Sequence, residues 1–421
     1  MNPAEPSSLS PSAFWNTMPA VLRAWWLERR VLVLRAAVAV LALFALLKLG
    51  SEFWRLVADT GVYGAIDLHH LHTQVHLWFA GSPVYAELHN ALYPPASYPI
   101  LWPLVGWLDF TSARWLWAGS SAVMLGWLAW LIVRESGAET RLERAFVALL
   151  LLSMNATGVT IGNGQLIVHC LPVLLTGMLL LRRGRGEWRE DLLAASLILV
   201  ALVKPNITAF FFWAVLFCPG RLRPAALVAA AYVALTLFAA AFQDAGLPAL
   251  IAGWLRNSAD VSARLGYGNL EIWFADVGLP GWGIPASLLV LGLLGVWTYV
   301  HRDVDIWLFF GVSAIVARMA VYHMVYDDLL MLLPMIALFR IAKRGGAADR
   351  SDVVAGLLLA VLVPAMLAPA RLQFPSSPWL PLFAAGHVGV WLVVLLFLLR
   401  QARMDQRLTR ARAAAGELVQ A

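Results

Sequence analysis

The sequence predicts an all-α, polytopic membrane protein of about twelve transmembrane helices, and three observations predict it. Of 421 residues, 61% are hydrophobic and only 13% are charged, which lies outside the range of soluble domains. Apolar runs recur that reach or approach the roughly 20 residues a helix needs to cross about 30 Å of hydrocarbon. Twenty tryptophans suit the same setting, because indole rings favour the interface between headgroups and acyl chains.

Taken in order, residues 1–30 form a cytoplasmic N-terminal segment, polar and Pro/Ser-containing at its start. It lacks an early apolar core, so no cleavable signal peptide is expected and the first span serves as an uncleaved anchor. Candidate spans follow at roughly 31–49, 114–133, 144–160, 164–182, 190–204, 206–218, 222–242, 283–300, 304–320, 325–341, 352–368 and 380–399. Segment 93–108 is also apolar, but Pro94, Pro95, Pro99 and Pro103 interrupt it. It reads as a re-entrant hairpin, which a bilayer tolerates only where the backbone is buried in protein or lines a cavity. Residues 31–400 make one integral membrane domain with outer loops at 50–92 and 243–282, and 401–421 a basic cytoplasmic tail.

Charge sets the orientation. With both termini cytoplasmic, inner segments collect 22 Lys and Arg residues, and outer loops hold four: Arg55, Arg256, Arg264 and Arg371. The positive-inside bias favours this arrangement in a plasma (inner) membrane, with 93–108 not counted as a crossing. The net charge of +6 follows from that topology and is no sign of nucleic-acid binding. Cys170 and Cys218 fall inside apolar runs, so no disulfide framework is expected.

A polar side chain at membrane depth is expensive, so each is a functional candidate. Asp67 stands just beyond a span and ahead of an amphipathic run; it is a candidate catalytic carboxylate or the N-cap of the helix beginning at Leu68. His69, His72 and His76 share a helical face with His70 nearby. The His72/His76 spacing suits a metal pair, but imidazoles meeting headgroups explain it as well. Lys204 lies between two apolar runs, and Pro205 breaks the helix there. Broken helices expose backbone groups and often build substrate sites; a snorkelling lysine is the alternative. Arg318, Tyr322, His323, Tyr326, Asp327 and Asp328 cluster between two late spans, as anion-binding groups or as a structural Arg–Asp pair. Asn163 and Gln165, in the run Gly162–Gln165, could hold a sugar or pyrophosphate-like group or cap two helices. Tyr267, Asn269 and Glu271 look like a lid or acceptor surface. Nucleotide-binding loops, HExxH and nucleophile elbows are missing, which disfavours an ATP-driven pump.

The pattern resembles glycosyltransferase family 87, polyprenol-phosphate-sugar-dependent transferases of the GT-C membrane superfamily. The residues that carry it are Asp67, GSPVY at 81–85, YPP at 93–95, GNGQLIV at 162–168, ALVKPN at 201–206 and HMVYDDLLMLLP at 323–334. The resemblance implies a GT-C-like fold whose first outer loop forms interfacial helices carrying an acidic catalytic base, a role that carries over to Asp67. It also implies a donor phosphate near Lys204 and His323. Arg318, Gln165, Asn163, Tyr326 and His70 join them as candidate substrate-binding residues. The histidine-rich DLHHLHTQVH run and the YDD after the late histidine depart from the expected pattern, leaving sugar and acceptor open and weakening a mannose-specific reading. The expected activity is an inverting transfer of a hexosyl or pentosyl group from a polyprenyl-phosphate sugar to a lipid or cell-envelope glycan hydroxyl on the outer face. Membrane lipids are the other partner, and no cofactor or obligatory metal is expected. The rival is a transporter or flippase of a lipid-linked sugar, with the same anionic-lipid pocket and no chemistry.

Overall fold

The computed structural model describes residues 11–262, 267–344, 350–368 and 378–420, with backbone alone at 11–19, 23, 280 and 408–420. The outer-loop charges Arg264 and Arg371 fall outside the described residues. In chain order the helices are α1 (Pro11–Val57), α2 (Ile66–Phe79), α3 (Val84–Glu87), α4 (Ser97–Val105), α5 (Phe110–Glu135), α6 (Arg141–Ser153), α7 (Asn155–Asn163), α8 (Ile167–Arg183), α9 (Trp188–Ala201), α10 (Pro205–Thr208), α11 (Phe212–Leu216), α12 (Arg223–Ala240), α13 (Leu247–Ser262), α14 (Leu270–Asp276), α15 (Gly283–Val300), α16 (Ile306–Ala320), α17 (Leu332–Arg344), α18 (Ser351–Met366) and α19 (Leu380–Gln420). Ala209–Phe211, Pro280–Trp282 and Val325–Met331 are 3-10 turns. No strand occurs among the described residues.

By length and hydropathy, five of the described helices can each cross a membrane, or up to seven spans if each bent pair counts as one. The twelve segments expected from sequence therefore do not each appear as a full-length apolar helix. The shortfall lies at 141–216 and 306–366, where helices are short or broken. The α6/α7 pair bends by 50° at Met154, and α9 meets α10 at 119° across the Lys204–Pro205 break. Pro205 enters at the first position of α10, where its missing N–H costs nothing.

Residues 93–108 do not fold as a two-armed hairpin. They contain one nine-residue helix, α4, entered through Pro94 and Pro95. Pro99 sits in its first turn, where an N–H has no intrahelical partner anyway. Ser97 ties this start to the break after α9, donating to the Val203 carbonyl at 2.8 Å.

Burial sorts the helices into layers. α8, α16 and α17 are buried along most of their length. α1, α12, α15 and α19 instead turn broad apolar faces outward, such as Leu46, Val233, Leu288 and Leu396. Such exposed apolar area is the signature of a bundle whose solvent is hydrocarbon.

Polar pairings gather at two poles. At one, Arg183 pairs with Glu135, Lys343 with Glu143 at 2.8 Å, Arg340 with Asp305 at 2.8 Å and Arg223 with Asp191 at 3.1 Å. At the other, Asn163, Gln165, Lys204 and Asp327 meet, and α2 lies over them. The amphipathic face of α2 explains that position. Leu68, Leu71, Val75 and Trp78 are buried, while His69, His70 and His76 are exposed. Trp78 anchors it by donating to the Ala239 carbonyl at 3.0 Å.

Candidate active site

Asp67 occupies the first turn of α2 but caps nothing: the N-cap is Ala65, without a side-chain cap bond. Its carboxylate instead reaches across to α7, where Asn163 Nδ2 donates to Oδ2 at 2.8 Å. Gln165 also lies within hydrogen-bonding reach. Burial holds the Asp67 carboxyl above the usual carboxylate range, against the opposing pull of the Gln165 and Asn163 amides and of the Lys204 charge. The residue still keeps part of its surface open.

Gly164 makes this junction possible. Its φ of +74° is left-handed, and a Cβ there would lie 2.5 Å from Leu68 Cβ. Asn163 and Gln165 therefore sit on either side of a turn that only glycine fills while α2 packs directly on it.

From Gln165 the network runs inward. Lys204 Nζ donates to Gln165 Oε1 at 3.0 Å and to Asp327 Oδ1 at 2.8 Å. It also stands 4.8 Å from the Tyr326 ring centroid. Lys204 and Asp327 are both buried, so the lysine is not a snorkelling one. On the far side of Asp327, His323 places Nδ1 3.2 Å from Oδ2, while its Nε2 lies 3.0 Å from the Ala317 carbonyl. Asp67, Asn163, Gln165, Lys204, Tyr326 and His323, far apart in sequence, thus form one continuous assembly.

Two candidates stand apart from it. Arg318 is closed on Asp328, donating at 2.5 Å, and on the Tyr267 carbonyl at 3.0 Å. Its guanidinium lies over the Tyr267 and Trp391 rings at 4.5 and 4.8 Å, and Tyr267 Oη donates to Asp328. Here the structural Arg–Asp pair is what forms, and it fastens Tyr267 to the α16–α17 junction. His70 is exposed on the open side of α2, within electrostatic reach of Asp67. Its neighbours spend themselves on protein: His72 and His76 put Nε2 at 2.8 and 3.2 Å from the Leu108 and Val105 carbonyls. Among the described residues no three His, Cys, Asp or Glu side chains are grouped to hold a metal ion.

Asp327, named in the late cluster without a role of its own, is the member that joins Lys204 to His323. Its signal was present as an acid in an apolar run, four residues from His323. Tyr322, from the same cluster, and Tyr93 both lie within electrostatic reach of Asp67 and Asp327; Tyr93 is the one that the sequence did not single out as a candidate.

A lipid-facing helical bundle with a largely buried carboxylate wired to a buried lysine defines a membrane protein with a polar site at one pole. Comparison with protein families gives that site its class, matching glycosyltransferase family 87 over residues 91–339. That stretch is more than half of the chain and includes Gln165, Lys204, His323 and Asp327. The chain belongs to glycosyltransferase family 87. Asp67 precedes the matched stretch. No curated protein and no solved structure matches the chain.

Proposed function

We propose that this glycosyltransferase moves a sugar from a polyprenyl-phosphate donor to a hydroxyl of a lipid or glycan acceptor, with inversion, on the outer face of the plasma membrane. The observation that carries the reading is the link from Asp67 through Asn163 and Gln165 to Lys204. It joins a proton acceptor at a partly open position to a cation deeper in the fold.

In this reading the acceptor oxygen attacks the anomeric carbon and its proton passes to Asp67. The new C–O bond forms as the bond from that carbon to the phosphate oxygen breaks, and the electron pair leaves on the prenyl phosphate. A positioned base contributes roughly 10²–10⁴ in rate. Lys204 has three N–H donors and gives one each to Gln165 and Asp327. The third is available to charge developing on the departing phosphate. Asp327 is committed to Lys204 and His323, which leaves Asp67 as the carboxylate free to act as a base. One free carboxylate suits inversion, since retention needs a second as nucleophile.

Charge supports the outer-face reading. Arg182, Arg183, Arg340, Lys343 and Arg344 crowd the pole opposite the site, and under the positive-inside rule the basic pole is the cytoplasmic one.

The test is Asp67→Asn in proteoliposomes supplied with radiolabelled prenyl-phosphate sugars. Transfer should drop by at least about a hundredfold with the protein still folded; near wild-type transfer removes Asp67 as base.

A further inference from the structure

The site just described holds no surplus positive charge for a phosphate. Lys204 and His323 both face Asp327, with Asp67 joined to them through Gln165, and Arg318 is closed on Asp328. Carboxylates match every cation there, and moving an anion into such a setting uncompensated is costly.

The surplus lies next door, on the outer end of α1. Lys48 Nζ and Arg55 Nε share one carboxylate, Glu52, at 2.8 and 2.6 Å. Glu52 is only 8% exposed, whereas the Lys48 and Arg55 side chains keep 28% and 26%. Arg114 adds a third cation, donating to the Leu56 and Asp59 carbonyls at 2.5 and 2.6 Å. Three cations against Glu52 and Asp59 leave one net positive charge, equal and opposite to that of a phosphodiester.

This ladder is packed into the site wall. The Lys48 stem crosses Gly158, and Glu52 with Arg55 crosses Gly162; a Cβ at either glycine would collide with them. Asn163, the next residue, holds Asp67. From Gly162 to Gln165 is three residues, at most about 10 Å of chain. On the same helix Val40, Phe44 and Leu47 are 51%, 45% and 65% exposed, with Phe44 four and Val40 eight residues before Lys48 on its side of the helix. A cationic head beside an apolar strip is the surface that an anionic lipid with one long chain would occupy.

We propose that Lys48 and Arg55 form the docking site for the donor's phosphate, with the prenyl chain along Phe44, Val40 and Leu47 and Glu52 positioning both cations. The proposal rests on the donor reading above and divides its labour. The α1 ladder holds phosphate charge in the ground state, and Lys204 meets the charge that develops as the bond breaks. Ground-state contacts appear in KM and transition-state contacts in kcat.

The experiment measures binding of a radiolabelled C20 prenyl monophosphate to the full chain in phosphatidylcholine nanodiscs, with prenyl alcohol and inorganic phosphate as competitors. Arg55→Gln and Lys48→Gln should each weaken binding about tenfold or more, as loss of a charge-assisted hydrogen bond does. Arg55→Lys and Lys48→Arg should restore it to within a few-fold. Arg256→Gln, which removes an exposed outer cation, should leave binding unchanged. In the transfer assay the two glutamine variants should raise donor KM by the same factor as they weaken binding. Wild-type binding with both glutamine variants inside twofold of it overturns the docking site and leaves the transferase reading standing. Displacement by millimolar inorganic phosphate as readily as by unlabelled lipid also overturns it, since the site would then hold free phosphate. A wild type that binds no prenyl phosphate overturns the donor reading and the docking site together.

Discussion

On the proposed mechanism, Asp67 sets how transfer depends on pH. Because burial raises its carboxyl, the proton comes off later than from an ordinary carboxylate, and a base is active only once the proton is gone. The acid limb of kcat/KM should therefore fall above the roughly 3.9 of an unperturbed aspartate, with rate lost as pH drops through it. Measuring kcat/KM against pH checks this, and Asn163→Ala should move the limb higher by removing an amide that stabilises the charged form. Asp327 carries a different burden. Asp327→Asn strips Lys204 of its buried counter-charge, and breaking such a pair costs about 3–5 kcal/mol. Thermal unfolding in detergent should show that loss, whereas Asp67→Asn should leave stability nearly unchanged because Asp67 carries no ion pair.

At the scale of elements, the junctions matter more than the spans. The Lys204–Pro205 break was legible in the sequence, because a proline removes a backbone donor and disfavours helical backbone at the residue before it. Its 119° bend brings Lys204 beside Gln165 and Asp327 as no continuous helix would. The partners themselves could not be read off. Asn163, Gln165 and Asp327 lie 96, 39 and 123 residues from the side chains they bind, and no local period encodes such distances. Residues 93–108 hold a single helix, α4, whose Pro99 falls in the first turn, where a missing N–H breaks nothing. Arg318 could be read as ligand or as structural partner with equal right, since the sequence gives its spacing to Asp328 and not its burial. Gly164 is where the element scale can be tested. Gly164→Ala places a side chain in a left-handed backbone position and into Leu68; strain of this kind costs of order 1–3 kcal/mol. It should separate α2 from α7, so thermal unfolding should fall and transfer should fall further than stability alone explains.

For the molecule as a whole, the division into two poles implies that chemistry and fastening are separable. α8 joins them, and its 17 residues put roughly 25 Å between Gln165 and the ion pairs at Arg183. The fastening is clearest at Asp305, which caps α16 through the Trp307 amide at 2.9 Å and binds Arg340 and Arg344 of α17 at 2.8 and 2.9 Å. Burial pushes its carboxyl up, but the two guanidinium groups and the amide pull harder and leave it below the usual carboxylate range. A carboxyl depressed in the fold contributes stability that is fully present above its unfolded value, near 3.9, and is lost as pH falls through the folded one. Asp305→Ala should then lower stability at pH 7 by about 1–2 kcal/mol, the worth of a lost cap. That difference from wild type should shrink below about pH 4 as the wild-type carboxyl gains its proton. Donor KM and kcat measured well below the melting temperature should stay within twofold of wild type. A matching loss of transfer would mean that the poles are coupled through α8 and α16, and that the Asp305 clamp sets the geometry around Lys204.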